Sequence, residues 1–273
     1  MDRALIVGVN IAADRKEKSF SLAMDEMISL VKACDMEPVG RIEQNMEYAN
    51  TATYIGAGKV GETAEMARAL EADIVVFDNG LSPIQLRNLT RELDCPVMDR
   101  TTLILEIFST RARTREAKLQ VEVARLQYML PRLVGLHDAL SRQGGASGAM
   151  SNKGAGEKKL ELDRRRLEQR LTSMKRELEC IAGERETQRK KRAESGIPRV
   201  ALVGYTNAGK STIMNSFLDE YVDGEEKKVY EEDMLFATLD TTVRRIAPPG
   251  KNAFLLSDTV GFISNLPHNL VKA

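Results

Sequence analysis

Short apolar runs alternate with segments of helical spacing along the first hundred residues. The runs are rich in Val and Ile and typical of buried strands, whereas the other segments repeat apolar residues at helical intervals. Alternating strands and helices predict an α/β layer structure with a mostly parallel sheet. The predicted strands are residues 4–9, 37–45, 73–78 and 96–98, and the predicted helices are residues 21–34, a segment that ends at residue 70, and residues 82–93.

A glycine-rich turn over residues 54–61 contains Gly56, Gly58 and Gly61, which resemble the dinucleotide-binding pattern G-x-G-x-x-G. That pattern normally follows a buried strand closely and is completed by an acidic residue that binds the ribose, and both features are weak here. We interpret the segment as a tight turn that leads into a helix. An RNA or phosphate contact and a second nucleotide site are the alternatives.

From residue 111 onward the chain becomes highly charged and nearly free of β-branched residues. Two sets of apolar residues recur at alternating spacings of four and three, the pattern of a helix with a narrow apolar stripe. We expect the two helices to pack together as an antiparallel hairpin, with Pro131 kinking or ending the first helix. The stripes are Leu119, Val123, Leu126, Leu130 and Leu133, and then Leu167, Leu171, Met174, Leu178 and Ile181.

Between these helices lies a long glycine-rich loop, predicted over residues 141–159. Loops of this length are usually functional or disordered. The loop carries Arg142, Lys153, Lys158 and Lys159, and we expect these cations to neutralise phosphates of a folded RNA into which the tip inserts. The alternative is a flexible linker.

The net charge of zero conceals an uneven distribution. Residues 1–110 hold 11 Lys and Arg against 18 Asp and Glu, residues 111–195 hold 21 against 12, and residues 196–273 hold 8 against 10. A basic middle between two acidic ends indicates a polyanionic partner. The alternative is a charged helix surface that is simply exposed to water.

Composition limits the possible classes of protein. The 273 residues contain no apolar run near the roughly 18 residues that span a bilayer, and no signal peptide at the start. We expect a cytoplasmic protein without a membrane span. Three widely separated cysteines and two histidines favour neither a disulfide framework, nor a zinc site, nor catalysis by a histidine base.

The most informative stretch is RVALVGYTNAGKST at residues 199–212, an apolar strand followed by G-x-x-x-x-G-K-S. This is the phosphate-binding loop, in which glycines let backbone N–H groups and a helix N-terminus surround a phosphate chain. Lys210 is expected to reach the β- and γ-phosphates, and the Ser211 hydroxyl to bind Mg²⁺.

A second signal, D-T-V-G at residues 258–261, follows the apolar run 253–256. We expect Asp258 to hold Mg²⁺ directly or through water, and the Gly261 N–H to sense the γ-phosphate. A threonine from the FATLDTT stretch could close over the metal, with Thr238, Thr241 and Thr242 as candidates. These features predict the first three elements of a P-loop GTPase domain.

The chain resembles the HflX family of ribosome-associated GTPases along its full length. The stretches that carry the resemblance are SRQGGASG, GAGEKKLELDRRRL, GYTNAGKSTIMN, LFATLDTTVRR and DTVGFISNLPHNLV. The resemblance implies three parts: an N-terminal α/β domain (1–110), a helical hairpin (111–195) and a partial G domain (196–273). It also implies that the chain binds GTP and Mg²⁺, binds ribosomal RNA of the large subunit, and splits or rescues stalled or idle ribosomes.

Family residues carry over by motif. Among the three threonines, the resemblance selects Thr238, because it occupies the family's switch position in FATL. No side chain is nominated as a covalent nucleophile, and we expect a monomer. The nucleotide-binding residues are Gly204, Asn207, Ala208, Gly209, Lys210, Ser211, Thr212, Asp258 and Gly261, and the metal ligands are Ser211, Thr238 and Asp258.

Two departures from the family pattern affect the expected activity. The base-reading N-K-x-D element is absent between the switch segments and residue 273, so we expect a C-terminally truncated form that binds nucleotide weakly. Phe262 stands where Ras-like enzymes have a water-orienting glutamine, which predicts slow hydrolysis that a partner stimulates. The alternative function is a nucleotide-switched module for ribosomal RNA binding or ribosome assembly, with little hydrolysis.

Overall fold

The computed structural model describes residues 1–11, 20–143, 153–194, 196–221, 235–236, 239 and 241–263. The chain divides into two compact units. The first combines residues 1–106 with 124–172, and the second combines residues 107–123 with 173–273. The three-part division at residues 110 and 195 stays a prediction.

The first unit is built on a parallel sheet, which confirms the predicted α/β class. Its strands pair in the order β2-β1-β3-β4, and every pair is parallel. The strands are β1 (Arg3–Ile11), β2 (Glu37–Met46), β3 (Ile74–Phe77) and β4 (Val97–Asp99).

Four helices begin within residues 1–106 of this unit: α1 (Phe20–Ala33), α2 (Ala57–Ala69), α3 (Pro83–Leu93) and α4 (Arg100–Arg111). One core cluster includes Leu5, Val75 and Phe77 of the sheet together with Leu89 of α3, all fully buried. Helix α4 was not predicted from the sequence.

Helix α3 begins at a Ser-Pro pair, as expected for the helix predicted over residues 82–93. The Ser82 hydroxyl accepts a hydrogen bond from the Gln85 N–H, and the Gln85 side chain accepts one from the Ser82 N–H at 2.9 Å. This reciprocal capping box satisfies two N–H groups that the first turn would otherwise leave without partners.

Helix α2 begins inside the glycine-rich turn. Gly56 is its N-terminal cap, and its N–H donates to Gln44 at 3.3 Å. Gly58 and Gly61 lie within the helix. This arrangement agrees with a turn that leads into a helix, the first of the three interpretations.

Two long helices, α5 (Arg115–Gln143) and α6 (Lys153–Glu194), form the middle of the chain. Pro131 lies inside α5, so the prediction that it could end the first helix is wrong. Proline removes one backbone donor, and the helix formers around it sustain the remaining turns.

The helices also extend into the predicted loop 141–159, so both predicted ends of this loop are wrong. Only residues 144–152 separate α5 from α6, and they lie outside the described residues. Ala155, Glu157, Lys158 and Lys159 favour helix strongly enough to outweigh the neighbouring glycines. Within the second unit, Arg185 contacts Glu116 at 2.6 Å, and Arg115 contacts Glu177, so ion pairs join the start of α5 to α6.

The second unit contains a three-stranded sheet of order β5-β7-β6. Strand β5 (Arg199–Leu202) is parallel to β7 (Phe254–Asp258), and β6 (Thr242–Ile246) is antiparallel to β7. Helix α7 (Lys210–Tyr221) packs on this sheet through Met214 and Leu218, which join Ile246 and Leu256 in a buried cluster. No helix in the described ranges is long and apolar enough to cross a membrane.

Candidate nucleotide site

The phosphate-binding loop connects the end of β5 to the start of α7. Asn207 and Gly209 both adopt left-handed backbone conformations, with φ of 56° and 75°. Glycine reaches this region without steric cost, and asparagine tolerates it better than most residues. These turns bring the chain from the strand into α7, whose first residue is Lys210.

Lys210 folds back over the loop. Its ammonium donates a 2.6 Å hydrogen bond to the Tyr205 carbonyl oxygen. Burial lowers the pKa of Lys210, and the negative charge of Asp258 opposes that effect. A partly buried cation at the mouth of this loop suits an anionic ligand.

Ser211 and Asp258 form the polar centre of the site. The Ser211 hydroxyl donates a 2.6 Å hydrogen bond to Asp258 Oδ2. Asp258 is fully buried, and its Oδ1 atom has no hydrogen-bond partner among the described residues. A buried carboxylate oxygen without a donor is energetically costly unless a cation or a water satisfies it.

The register of the sheet explains why Ser211 and Asp258, which are far apart in the sequence, lie in contact. Leu202 at the end of β5 pairs with Asp258 at the end of β7. Because the two strands are parallel, their carboxyl ends lie at the same edge, beside the loop that follows β5. The Thr259 hydroxyl also donates to the Leu202 carbonyl at 2.7 Å and secures this junction.

A second connection joins the loop to the D-T-V-G segment. Thr206 N–H donates to the Phe262 carbonyl at 2.9 Å, and Phe262 N–H donates to the Gly204 carbonyl at 3.0 Å. Gly261 lies directly against the loop, because a Cβ at this position would be 2.5 Å from Thr206 Cα. Sequence reasoning missed Thr206 and Tyr205, which act through their backbone atoms and therefore leave no side-chain signal.

The donor set at this edge fits Mg²⁺. Serine hydroxyl and carboxylate oxygens are hard ligands of the kind that magnesium prefers. Within the described ranges, no group of three or more His, Cys, Asp or Glu side chains could hold a metal by itself. Asp258 Oδ1, which has no hydrogen-bond partner among the described residues, is a carboxylate oxygen of this kind and lies beside the Ser211 hydroxyl.

The predicted site residues have different outcomes. The structure brings the loop residues from Gly204 to Thr212 together with Asp258 and Gly261, and their roles in binding nucleotide and metal stay predictions. Thr238 lies outside the described residues. Arg142, Lys153, Lys158 and Lys159 lie in the helices α5 and α6, and their side chains lie outside what the structure describes, so the predicted RNA contacts also remain untested.

Three family models match successive parts of the chain. Residues 21–109 match the GTP-binding GTPase N-terminal family, residues 111–192 match the GTP-binding GTPase middle region, and residues 199–272 match the 50S ribosome-binding GTPase family.

Curated relatives match the chain from end to end. The GTPase HflX of Lacrimispora saccharolytica is 45% identical over 272 residues, covering 100% of this chain and 61% of the relative. The GTPase HflX of Alkalihalophilus pseudofirmus is 44% identical over 273 residues, and that of Escherichia coli is 42% identical over 272. Each covers all of this chain, which spans 62% and 61% of those two relatives.

Solved structures share the fold. A GTP-binding protein from the archaeon Sulfolobus solfataricus, in complex with GDP, matches with a TM-score of 0.50 and 24% identity, over 100% of this chain and 65% of that one. A complex of SsGBP with GDP gives a TM-score of 0.54 at 24% identity, over 100% and 66%. Since three GTPase family models follow one another along the chain and HflX relatives match its whole length, the chain belongs to the HflX family of GTPases.

Proposed function

We propose that this chain binds GTP together with Mg²⁺, hydrolyses the GTP, and acts on the large ribosomal subunit. One observation carries the nucleotide part of the proposal. The Ser211–Asp258 pair lies at the end of a phosphate-binding loop, and it holds a buried carboxylate oxygen that has no donor among the described residues.

The loop residues would bind the phosphates. Backbone N–H groups from Asn207 to Thr212 would surround the phosphate chain at the positive N-terminal end of α7. Lys210 would exchange its bond to the Tyr205 carbonyl for bonds to the β- and γ-phosphates. This exchange gives the partly buried ammonium anionic acceptors, which bind it more strongly than a neutral carbonyl does.

Ser211, Asp258 and, by family resemblance, Thr238 would hold the metal. A bound magnesium ion neutralises charge on the β- and γ-phosphate oxygens. Asp258 is suited to this role because it is buried and anchored by Ser211, so its position is set before nucleotide arrives.

The residue Phe262 is the reason to expect slow GTP hydrolysis by the isolated protein. Phe262 is 58% exposed, and its phenyl ring cannot orient a water molecule by hydrogen bonding. Another group must therefore position the attacking water, and a binding partner is the natural source. We accordingly expect hydrolysis to be slow alone and faster with that partner.

The partner proposed is the large ribosomal subunit. Support comes from the family that matches residues 199–272, described as 50S ribosome-binding GTPases, and from the excess of cations over residues 111–195. Phosphate contacts by these Lys and Arg side chains would make binding sensitive to salt. We further propose that GTP-dependent binding to this subunit serves to split or rescue stalled or idle ribosomes.

Nucleotide titration tests the proposal directly. Fluorescent GTP and ATP analogues are titrated into the wild-type chain with Mg²⁺ or with EDTA. We expect Mg²⁺-dependent binding of the GTP analogue, and a loss of about tenfold or more in Ser211→Ala, because this variant loses the metal-binding hydroxyl. Ser216→Ala is the matched control, since this hydroxyl lies on the same helix and donates to the Thr212 carbonyl.

Equal affinity with and without Mg²⁺, or an unaffected Ser211→Ala variant, would contradict the assignment. Sedimentation with purified large subunits, at two salt concentrations and with GTP analogue or GDP, tests the partner. Salt-sensitive binding with no measurable turnover, even on the subunit, would favour the alternative function of a nucleotide-switched RNA-binding module.

A further inference from the structure

The D-T-V-G segment leaves the sheet immediately after Asp258. Strand β7 ends at this residue, which pairs with Leu202 of β5 on one side and with Thr242 of β6 on the other. Thr259 follows as the first residue outside the strand. The position of Thr259 therefore depends on contacts other than the strand pairing.

One side-chain hydrogen bond ties Thr259 back to the sheet. Its hydroxyl donates to the carbonyl oxygen of Leu202, the last residue of β5, at 2.7 Å. The bond is partly buried, so water competes for it less than it would at an exposed position. The bond connects the residue after Asp258 to the strand end from which the phosphate-binding loop departs.

The residue on the other side of Asp258 makes a bond of the same kind. The Ser257 hydroxyl donates to the Val200 carbonyl at 3.2 Å, and this bond and that of the threonine both span 57 positions of the chain. Ser257 lies inside the strand pairing, however, opposite Ala201 and Val243. Its hydroxyl bond is longer and exposed, and it adds to positions that the backbone pairing already fixes. Only the hydroxyl bond beyond the strand end supplies a connection that the pairing does not.

Asp258 is the residue that the Thr259 bond affects most directly. Its side chain is fully buried, and its Oδ2 atom accepts the 2.6 Å hydrogen bond from the Ser211 hydroxyl. The direction of its Oδ1 atom, which has no partner among the described residues, depends on how the backbone of Asp258 is held. The strand pairing holds that backbone from the N-terminal side, and the Thr259 hydroxyl holds it from the C-terminal side.

We propose that Thr259 is a positioning residue for magnesium, which holds Asp258 Oδ1 in the orientation that meets a cation bound with the nucleotide. This inference rests on the proposed function, in which Asp258 and Ser211 serve the metal. A ligand that is already oriented loses less freedom when it binds the metal, and groups that orient metal ligands raise metal affinity for this reason. Loss of the Thr259 hydroxyl must therefore weaken Mg²⁺ binding. Nucleotide binding without the metal, which relies on the phosphate-binding loop, should change little.

The half-saturating Mg²⁺ concentration tests this role. It is obtained by measuring the affinity of the chain for a fluorescent GTP analogue in EDTA and then at a series of Mg²⁺ concentrations. Thr259→Val removes the hydroxyl and retains a side chain of similar size. We expect this variant to raise the half-saturating concentration about fivefold or more, and to change the affinity in EDTA by less than about twofold. Thr259→Ser keeps the hydroxyl and should restore most of the wild-type value.

The matched control is Ser257→Ala, which removes the equivalent hydroxyl bond inside the strand pairing. Its half-saturating Mg²⁺ concentration should stay within about twofold of the wild-type value. Asp258→Asn provides a second comparison. In that background Thr259→Val should have no further effect at any Mg²⁺ concentration, because the threonine acts through the carboxylate. If Thr259→Val does not fold, as judged by urea unfolding without nucleotide, Thr259→Ala and Thr259→Ser provide the same comparison.

Three results would overturn the positioning role while leaving the proposed function intact. The first is an unchanged half-saturating Mg²⁺ concentration in Thr259→Val, and the second is an equal rise in Ser257→Ala. The third is an equal loss of nucleotide affinity in EDTA and in Mg²⁺, because the threonine would then support the fold of the loop rather than the metal. A wild-type chain whose nucleotide affinity does not depend on Mg²⁺ would instead refute the metal part of the proposed function, and the role of Thr259 with it.

Discussion

Gly261 and Thr206 touch so closely that no side chain fits between them: a Cβ on Gly261 would lie 2.5 Å from Thr206 Cα and 2.6 Å from its nitrogen. The obstacle is backbone, which cannot rotate away as a flexible side chain would. The D-T-V-G segment and the phosphate-binding loop are therefore positioned as one piece, and movement of either displaces the other.

Gly261→Ala should disrupt this contact. We expect nucleotide affinity to fall by about tenfold or more, because the phosphate-binding loop must shift to admit the methyl group. Titration with a fluorescent GTP analogue measures the loss. Gly183→Ala is the control, since a Cβ there meets nothing within 4 Å. Wild-type affinity in Gly261→Ala would contradict the packing described.

Gly183 itself offers a second prediction. It lies inside α6, is exposed, and does not have a positive φ. Alanine there should raise the free energy of unfolding by about 0.5–1 kcal/mol, because glycine has more backbone freedom to lose on folding. Urea unfolding followed by circular dichroism checks the sign.

Gly209→Ala provides the contrasting case for Gly183→Ala. A Cβ at Gly209 also meets nothing within 4 Å, but its φ is 75°. Alanine there should therefore lower stability by about 1–2 kcal/mol from backbone strain alone. If both alanines shifted the unfolding midpoint in the same direction, the conformational argument would be wrong.

The Asp99–Arg132 pair predicts a large effect in the first unit. Asp99 is 2% exposed at the end of β4, and Arg132 of α5 donates to its Oδ2 at 2.7 Å and to the Leu81 carbonyl at 2.6 Å. Arg132→Ala should cost about 2–4 kcal/mol, since it leaves a buried carboxylate without its cation. The remaining donors, including the Thr102 N–H at 2.9 Å, limit the loss.

Arg115→Ala is the matched control for Arg132→Ala. Arg115 also lies on α5, as its first residue, and it also pairs with an acid, Glu177. Its side chain, however, is 80% exposed. Water already screens such a pair, so we expect a loss of less than about 1 kcal/mol. Chemical denaturation measures the free energy of unfolding of both variants. Equal losses of this free energy would contradict the buried role of Arg132.

Glu161 predicts a pH dependence in α6. Hydrogen bonds from Arg164, and then from Arg165, lower the pKa of Glu161 from 4.5 to about 2. A lowered pKa in the folded state means that the stabilisation is present above pH 4.5 and is lost as the pH falls toward 2. Because the site is exposed, the effect should be small.

Thermal unfolding of Glu161→Gln at pH 7 and at pH 2.5 measures this contribution. The variant should unfold at a lower temperature than the wild type at pH 7, and the difference should shrink at pH 2.5. Glu168→Gln, which loses a single 2.7 Å contact with Arg164, should show a smaller difference. A difference in unfolding temperature that grows on acidification would contradict a lowered pKa of Glu161 in the folded state.

Local features of the fold and site were predictable from the sequence alone. Strand and helix periodicity, the Ser82-Pro83 helix start and the phosphate-binding loop each depend on residues within about ten positions of one another. The family motifs also made it possible to predict Asp258 as a site residue, although it lies 47 positions after Ser211. Local patterns also misled where competing propensities were close, as at Pro131 and in the helical residues 153–159 that were predicted as loop.

Tertiary structure alone decided which distant residues meet. Nothing in the sequence around Arg132 indicates Asp99, and nothing around Phe236 indicates Phe108, because both pairs depend on how helices pack after the chain has turned back on itself. The left-handed backbone at Phe236 has the same origin, since a phenylalanine adopts it only when long-range packing outweighs its local preference. The phosphate-binding loop is thus predictable from the sequence, whereas the contacts that support it, such as that of Gly261 with Thr206, arise from packing.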